Sequence, residues 1–119
     1  MVKRADGELE REILNVLWDA NEPLPAAEVR EALGSTLAYT SVATVLTRLW
    51  EKGSVQRVLT GRAFAYSPTL TREVWYAEQM LAVLDGLPNQ RALLVGFVDK
   101  LSRRDRDALR RLLEEDAQK

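Results

Sequence analysis

The stretch that decides the fold is Thr40-Ser-Val-Ala-Thr-Val-Leu-Thr-Arg-Leu-Trp-Glu-Lys-Gly53, continued after Ser54 by Val55-Gln-Arg-Val-Leu59, Thr60-Gly61-Arg62, Ala63-Phe-Ala-Tyr-Ser67 and Pro68. In its first half, Val42, Val45, Leu46, Leu49 and Trp50 recur at i, i+3, i+4, i+7 and i+8, the period of one helix face. Thr40 or Ser41 is placed to cap the start of that helix, and Gly53 to end it. The other face carries Ser41, Ala43, Thr44, Thr47, Arg48 and Glu51, which are mostly small or hydroxylic. Such side chains let a helix backbone approach another surface closely, donate to phosphate oxygens and meet thymine methyls. Ser and Thr on an ordinary surface helix would read the same way. After Gly53 the period changes to two, and the two β-rich runs around Thr60-Gly61-Arg62 predict a hairpin.

Upstream, Leu9, Ile13, Val16 and Leu17 follow helical spacing, with Leu14 and Trp18 widening the stripe and Asp6 as an N-cap ahead of Glu8 and Glu10. Asn21-Glu-Pro-Leu-Pro25 is a turn, and Pro25 suits the first position of a short second helix ending at Leu33, with Gly34 after it. Ser35 to Tyr39 reads at most as a single extended pairing. Two helices, a third with a small polar face, and a hairpin tipped with Arg form the element order of a winged helix-turn-helix. There the third helix lies in the major groove and basic residues of the hairpin touch the flanking backbone. Arg57 and Arg62 also have a plainer use, because cations on an exposed edge discourage strand pairing.

Charge separates these uses. The 119 residues hold 17 Lys+Arg against 18 Asp+Glu, a net of -1 that by itself argues weakly against a polyanion partner. Residues 1–39 sum to -4 and residues 67–119 to zero, whereas residues 40–66 hold Arg48, Lys52, Arg57 and Arg62 against Glu51 alone, a net of +3. The positive patch thus coincides with the third helix and hairpin, the footprint expected if those elements face phosphate. Cysteine and histidine are both absent, which excludes disulfides, thiol nucleophiles, imidazole acid-base chemistry and zinc sites built on Cys or His. There is no Gly-rich phosphate loop, and Glu8, Glu10 and Glu12 read as a solvated first turn, so neither an enzyme nor a cofactor is expected. No apolar run approaches the ~18 residues of a membrane span, and no signal-peptide core follows the start, so a cytoplasmic protein without a membrane partner is expected.

The C-terminal part reads as three more helices. Thr71 caps a fourth through about Leu84, with Val74, Ala77, Met80, Leu81 and Leu84 along one side. Asn89 caps a fifth whose run from Ala92 through Leu94, Phe97 and Val98 to Leu101 is apolar nearly all round. Ser102 to Asp105 resembles a capping box opening a sixth, with Ala108, Leu109, Leu112 and Leu113. Three short helices are too little for an independent core. A second copy would supply the cover, and a helix-turn-helix reader of two half-sites needs two-fold symmetry. Folding back on the first domain is the alternative.

Several stretches together carry a resemblance: Leu9-Glu-Arg to Val16-Leu-Trp18, Glu28 to Leu33, Leu37 to Leu49 with Lys52-Gly53, Gly61 to Tyr66, and Leu94 to Lys100. Over nearly its whole length the chain resembles the penicillinase repressor family, the BlaI and MecI type of winged-helix repressor. The resemblance implies a mostly α fold with a small β-hairpin wing: a winged-helix DNA-binding domain over 1–69 and a helical dimerisation region over 70–119. It implies a homodimeric transcriptional repressor on double-stranded, dyad-symmetric operator DNA. The residues themselves then suggest Thr40, Ser41, Thr44, Thr47 and Arg48 in the major groove, with phosphate as the alternative for Arg48 near the helix end, Arg57 and Arg62 at backbone phosphates, and Lys52 either there or uninvolved. Dimerisation then falls to Val74, Leu81, Leu84, Leu94, Phe97, Val98, Leu101, Leu109, Leu112 and Leu113. In the family a membrane sensor metalloprotease relieves repression, directly or indirectly, through cutting in the fifth helix, and the matching bond is Gly96–Phe97. Two departures stand out: Gly96 replaces a polar residue, and Ala43 stands where some members carry a long side chain toward DNA. The cysteines of the copper-responsive branch are absent. Two rival readings are a winged-helix protein-protein module without DNA, and a repressor sensing a small ligand in a pocket lined by Trp75, Tyr76 and Met80.

Overall fold

The third helix forms where its stripe places it. In the computed structural model, which describes residues 7–34 and 36–119, α3 spans Tyr39–Glu51 and buries Val42, Val45, Leu46 and Leu49. Its end is a Schellman turn: Ser54 N–H donates to the Leu49 carbonyl at 2.9 Å and Gly53 N–H to that of Trp50 at 3.0 Å. Gly53 takes φ +83°, a backbone conformation that a side chain would strain. The start differs from expectation. Ala38, extended at φ -71°, ψ 142°, precedes the helix with no side-chain cap, so Thr40 and Ser41 lie inside the first turn. Arg30 Nε, donating to the Leu37 carbonyl at 2.6 Å, holds the chain on its way into α3.

Around α3 pack α1 (Glu8–Asp19), which buries Ile13, Leu14 and Leu17, and α2 (Ala26–Leu33), which buries Ala26 and Val29. Pro25 is the residue before α2 and not its first, and Gly7 holds the N-cap position of α1. Asp6 and Ser35 lie outside the described residues. The hairpin is β2 (Val55–Thr60) against β3 (Ala63–Pro68), antiparallel from Val55↔Pro68 to Thr60↔Ala63. That register leaves Gly61-Arg62 as a two-residue turn, and Gly61 at φ +66° supplies the first position of a II′-type connection. A third strand, β1 (Leu24–Pro25), pairs with β3 through Leu24↔Tyr66 and Pro25↔Ala65, giving the order β1-β3-β2. The extended pairing expected at 35–39 therefore lies earlier, in the stretch read as a turn; among the described residues 36–39 there is no strand. Pro25 fits an edge strand, where its missing N–H costs no ladder bond.

The other helices are α4 (Arg72–Asp85), α5 (Gln90–Lys100) and α6 (Arg103–Ala117). Their caps are those read from the sequence: the Thr71 hydroxyl accepts from Val74 N–H, the Asn89 amide oxygen from Ala92 N–H, and the Ser102 hydroxyl from Asp105 N–H, all within 3.1–3.2 Å.

The chain divides into two compact units, one ending at Tyr76 and one spanning Ala77–Lys119, so the division falls inside α4. The first turns of α4 belong to the first unit because of their aromatics. Trp75 is buried edge-on against Trp18 at 5.9 Å between ring centroids, Tyr76 stacks edge-on to Trp75 at 5.0 Å, and Arg72 pairs with Asp19 at 2.9 Å. Trp18 Nε1–H donates to the Leu70 carbonyl at 2.9 Å. Every buried hydrophobic side chain among the described residues lies in this first unit. No helix among the described residues is long and apolar enough to cross a membrane.

Candidate nucleic-acid interface

With one face of α3 spent on the core, the opposite face is open. Thr40, Ser41, Thr44 and Arg48 are exposed and gather, with Leu9 and Val45, around a shallow cleft of about 320 Å³. The absence of side-chain caps on α3 leaves the hydroxyls of Thr40 and Ser41 for this outer face. Thr47 does not join the cleft. It is half-buried, and its hydroxyl donates to the Ala43 carbonyl at 3.0 Å, a local bond that spends its proton. Ala43, read as part of the outer face, packs against the core instead. Trp50, read as core, is 41% exposed.

The four cations of the patch have different surroundings. Arg48 and Arg62 are exposed, with no hydrogen bond or ion pair from either side chain among the described residues, and Arg62 stands at the tip of the wing. Lys52 is taken: its ammonium pairs with Glu10 of α1 at 2.7 Å, an arrangement in which the carboxylate is mostly covered and the lysine more than half exposed. Arg57 is half-buried, with its guanidinium carbon 3.6 Å from the Trp50 ring centroid and 4.1 Å from that of Phe64. Sequence reasoning missed Trp50, Phe64 and Glu10 as members of this surface. An aromatic at the edge of the α3 stripe and another beside the wing turn were the only available signals.

In the second unit Leu81, Leu84, Leu94 and Phe97 come together, with Ala77, Met80, Val83 and Leu93, around an apolar hollow of about 450 Å³. Leu101 lies at a separate concavity beside Arg103, Arg106, Asp107 and Arg110. Val98 and Leu109 are half-buried, and Leu112 and Leu113 are exposed along α6. Val74 is exposed and belongs to the first unit, where Trp75 takes the inward position. Trp75 and Tyr76 are engaged with Trp18, whereas Met80 lies at the hollow of the second unit. Gly96 and Phe97 sit in the middle of α5, both exposed.

Comparison with known proteins gives a consistent picture. The sequence signature described as penicillinase repressor matches residues 6–115. A transcriptional regulator called BlaI from Mycobacterium tuberculosis is 40% identical over 114 residues, which cover 92% of this chain and 83% of that protein. The solution structure of the DNA binding domain of the repressor BlaI superposes with a TM-score of 0.50 at 29% identity, over 60% of this chain and 90% of that domain. A mutant MepR from a multidrug-resistant S. aureus clinical isolate matches 93% of this chain and 76% of its own with a TM-score of 0.52; at 17% identity this is a likeness of fold alone.

Proposed function

Because the chain belongs to the penicillinase repressor family and is a winged-helix transcriptional repressor, not an enzyme, we propose that it works as a cytoplasmic homodimer on double-stranded, dyad-symmetric operator DNA. The observation that carries this reading is the outer face of α3. It sets three hydroxylic side chains, Thr40, Ser41 and Thr44, beside the unpaired Arg48 in one cleft, while the wing's Arg57 lies over Trp50 in the last turn of the same helix. Small hydroxyls suit close approach to base edges, and the arginines suit phosphates. A winged helix built to hold protein would instead present apolar or charged anchors along that helix. Thr47, with its proton committed to Ala43, and Lys52, held by Glu10, are outside the contact set that we propose. Reading DNA is the work of the first unit.

Dimerisation is the work of the second. Not one of its residues is buried within a single chain, and one of its hollows is lined by eight apolar side chains. A second copy laying the same face against it would cover them, as two-fold symmetry requires. Release by cutting at Gly96–Phe97, through a membrane sensor metalloprotease, fits this arrangement because Phe97 lines the same hollow.

The reading is tested by selecting bound duplexes from a random-sequence pool with the wild-type chain and with Thr44→Ala. Wild type should enrich one inverted repeat, and Thr44→Ala should enrich a repeat altered within each half-site. Enrichment of no sequence by wild type, or an unchanged repeat with Thr44→Ala, would remove α3 as the reader of bases.

A further inference from the structure

The wing is fastened to α3 by a contact that phosphate binding alone does not require. Trp50 comes from the last turn of α3, Arg57 from β2 and Phe64 from β3. Arg57 stands opposite Tyr66 in the ladder, and Tyr66 is buried, so Arg57 lies on the hairpin face that turns toward the core. Phe64 is two residues from Tyr66 and shares that face. The Arg57 side chain thus runs beneath Phe64 to Trp50, and its guanidinium lies over both rings at 4.1 and 3.6 Å.

A guanidinium lying over aromatic rings keeps its charge and its N–H donors. Among the described residues no hydrogen bond or ion pair uses them. A cation serving the fold alone would be expected to meet an acceptor, as Lys52 meets Glu10, Arg72 meets Asp19 and Arg30 meets the Leu37 carbonyl. Its position is also telling. Two residues apart on a helix means about 200° around it, so Arg48 and Trp50 flank opposite sides of the outward face of α3. A helix in the major groove is walled by a phosphate backbone on each side. Arg48 would serve one wall, and Arg57, seated on Trp50, the other.

We propose that Trp50 and Phe64 are positioning residues that hold Arg57 as a preorganised phosphate clamp and thereby set the angle between the wing and α3. The proposal rests on the operator-binding reading above. Since phosphates carry no base identity, the clamp acts on affinity and leaves sequence preference untouched. Its benefit is that the arginine reaches the phosphate already ordered.

The test is a double-mutant cycle on the full chain, reading binding to the selected operator duplex over a salt series. Trp50→Ala should weaken binding about fivefold when Arg57 is present and less than twofold in an Arg57→Gln background. Arg57→Gln should flatten the logarithmic salt slope by about two units for a dimer, Trp50→Ala should leave the slope unchanged, and Trp50→Phe should restore most of the affinity. Should Trp50→Ala fail to fold, Phe64→Leu takes its place in the same cycle. Independent, additive losses, or an Arg57→Gln slope equal to wild type, would overturn the clamp alone. A wild-type chain that binds no duplex at all would overturn the operator reading with it.

Discussion

The pairing of Lys52 with Glu10 turns the charge of the patch into a measurable number. The sequence offers four cations over residues 40–66, of which Arg48, Arg57 and Arg62 have no carboxylate partner among the described residues. A dimer would then neutralise six phosphates, which predicts a slope of log K against log salt of about -5.4, or about three decades of affinity between 50 and 200 mM. Removing Arg62 from both protomers leaves four contacts, so Arg62→Ala should bring the slope to about -3.6 and weaken operator and random duplexes alike. Glu10→Gln works in the opposite direction. It frees Lys52 and deletes a negative charge, and with eight contacts the slope should steepen to about -7.2 while affinity at low salt rises. The pair is solvent-exposed on the lysine side, so its loss should cost about 0–1 kcal/mol of stability, visible as a small shift in thermal melting. Fluorescence anisotropy with a labelled operator over a salt series measures all three slopes. A wild-type slope already near -7, unchanged by Glu10→Gln, would show that Lys52 leaves Glu10 for phosphate when DNA arrives. An Arg62→Ala slope equal to wild type would remove the wing tip from the interface.

Two further outcomes are expected. Leu46→Ala, at a fully buried position where α3 meets the rest of the core, should cost about 2–5 kcal/mol in urea unfolding; a loss under about 1 kcal/mol would mean that the first unit does not depend on this packing. Gly96→Ala should stabilise α5 by about 0.5–1 kcal/mol, because the added methyl meets no atom within 4 Å and the glycine is in mid-helix; limited proteolysis should then cut at 96–97 more slowly, and faster cutting would contradict the account.

What the sequence showed and what it hid divide along the range of the interactions. The stripe of α3, the Gly53 turn, the hairpin and the caps at Thr71, Asn89 and Ser102 are each set by residues within one or two turns of one another, and all are legible. The strand β1 was hidden because two residues, one a proline, carry no period, and its partner Tyr66 lies on a distant strand. The start of α3 was hidden because Arg30 and an extended Ala38 fix it, where a side-chain cap was expected. Trp50 has the right spacing for the core but sits at the edge of the stripe, and an edge position is decided by what arrives from elsewhere. Here that was a cation from β2 and a ring from β3. Within the candidate site, then, local pattern identified the hydroxyls and cations, whereas which cations were free depended on Glu10, 42 residues from Lys52.

The distribution of burial joins these points to regulation. Among the described residues the first unit holds all the buried hydrophobic side chains, a core that supports the outer face of α3. The second unit buries none within one chain, and ordering three helices without a core is unfavourable against the conformational entropy of about 1–2 kcal/mol per residue. In the proposed dimer a second copy would supply the missing cover, and with it the second half-site contact. With three cations over residues 40–66 that have no carboxylate partner among the described residues, a lone first unit would show a salt slope of about -2.7 and correspondingly weak binding. Joining two of them raises the apparent affinity by about 10²- to 10⁴-fold without any new contact to DNA. An event that disturbs the face around Phe97 would forfeit that factor while leaving α3 and the wing intact. On the proposed reading, repression would be switched from the second unit, which is where the mid-helix glycine lies.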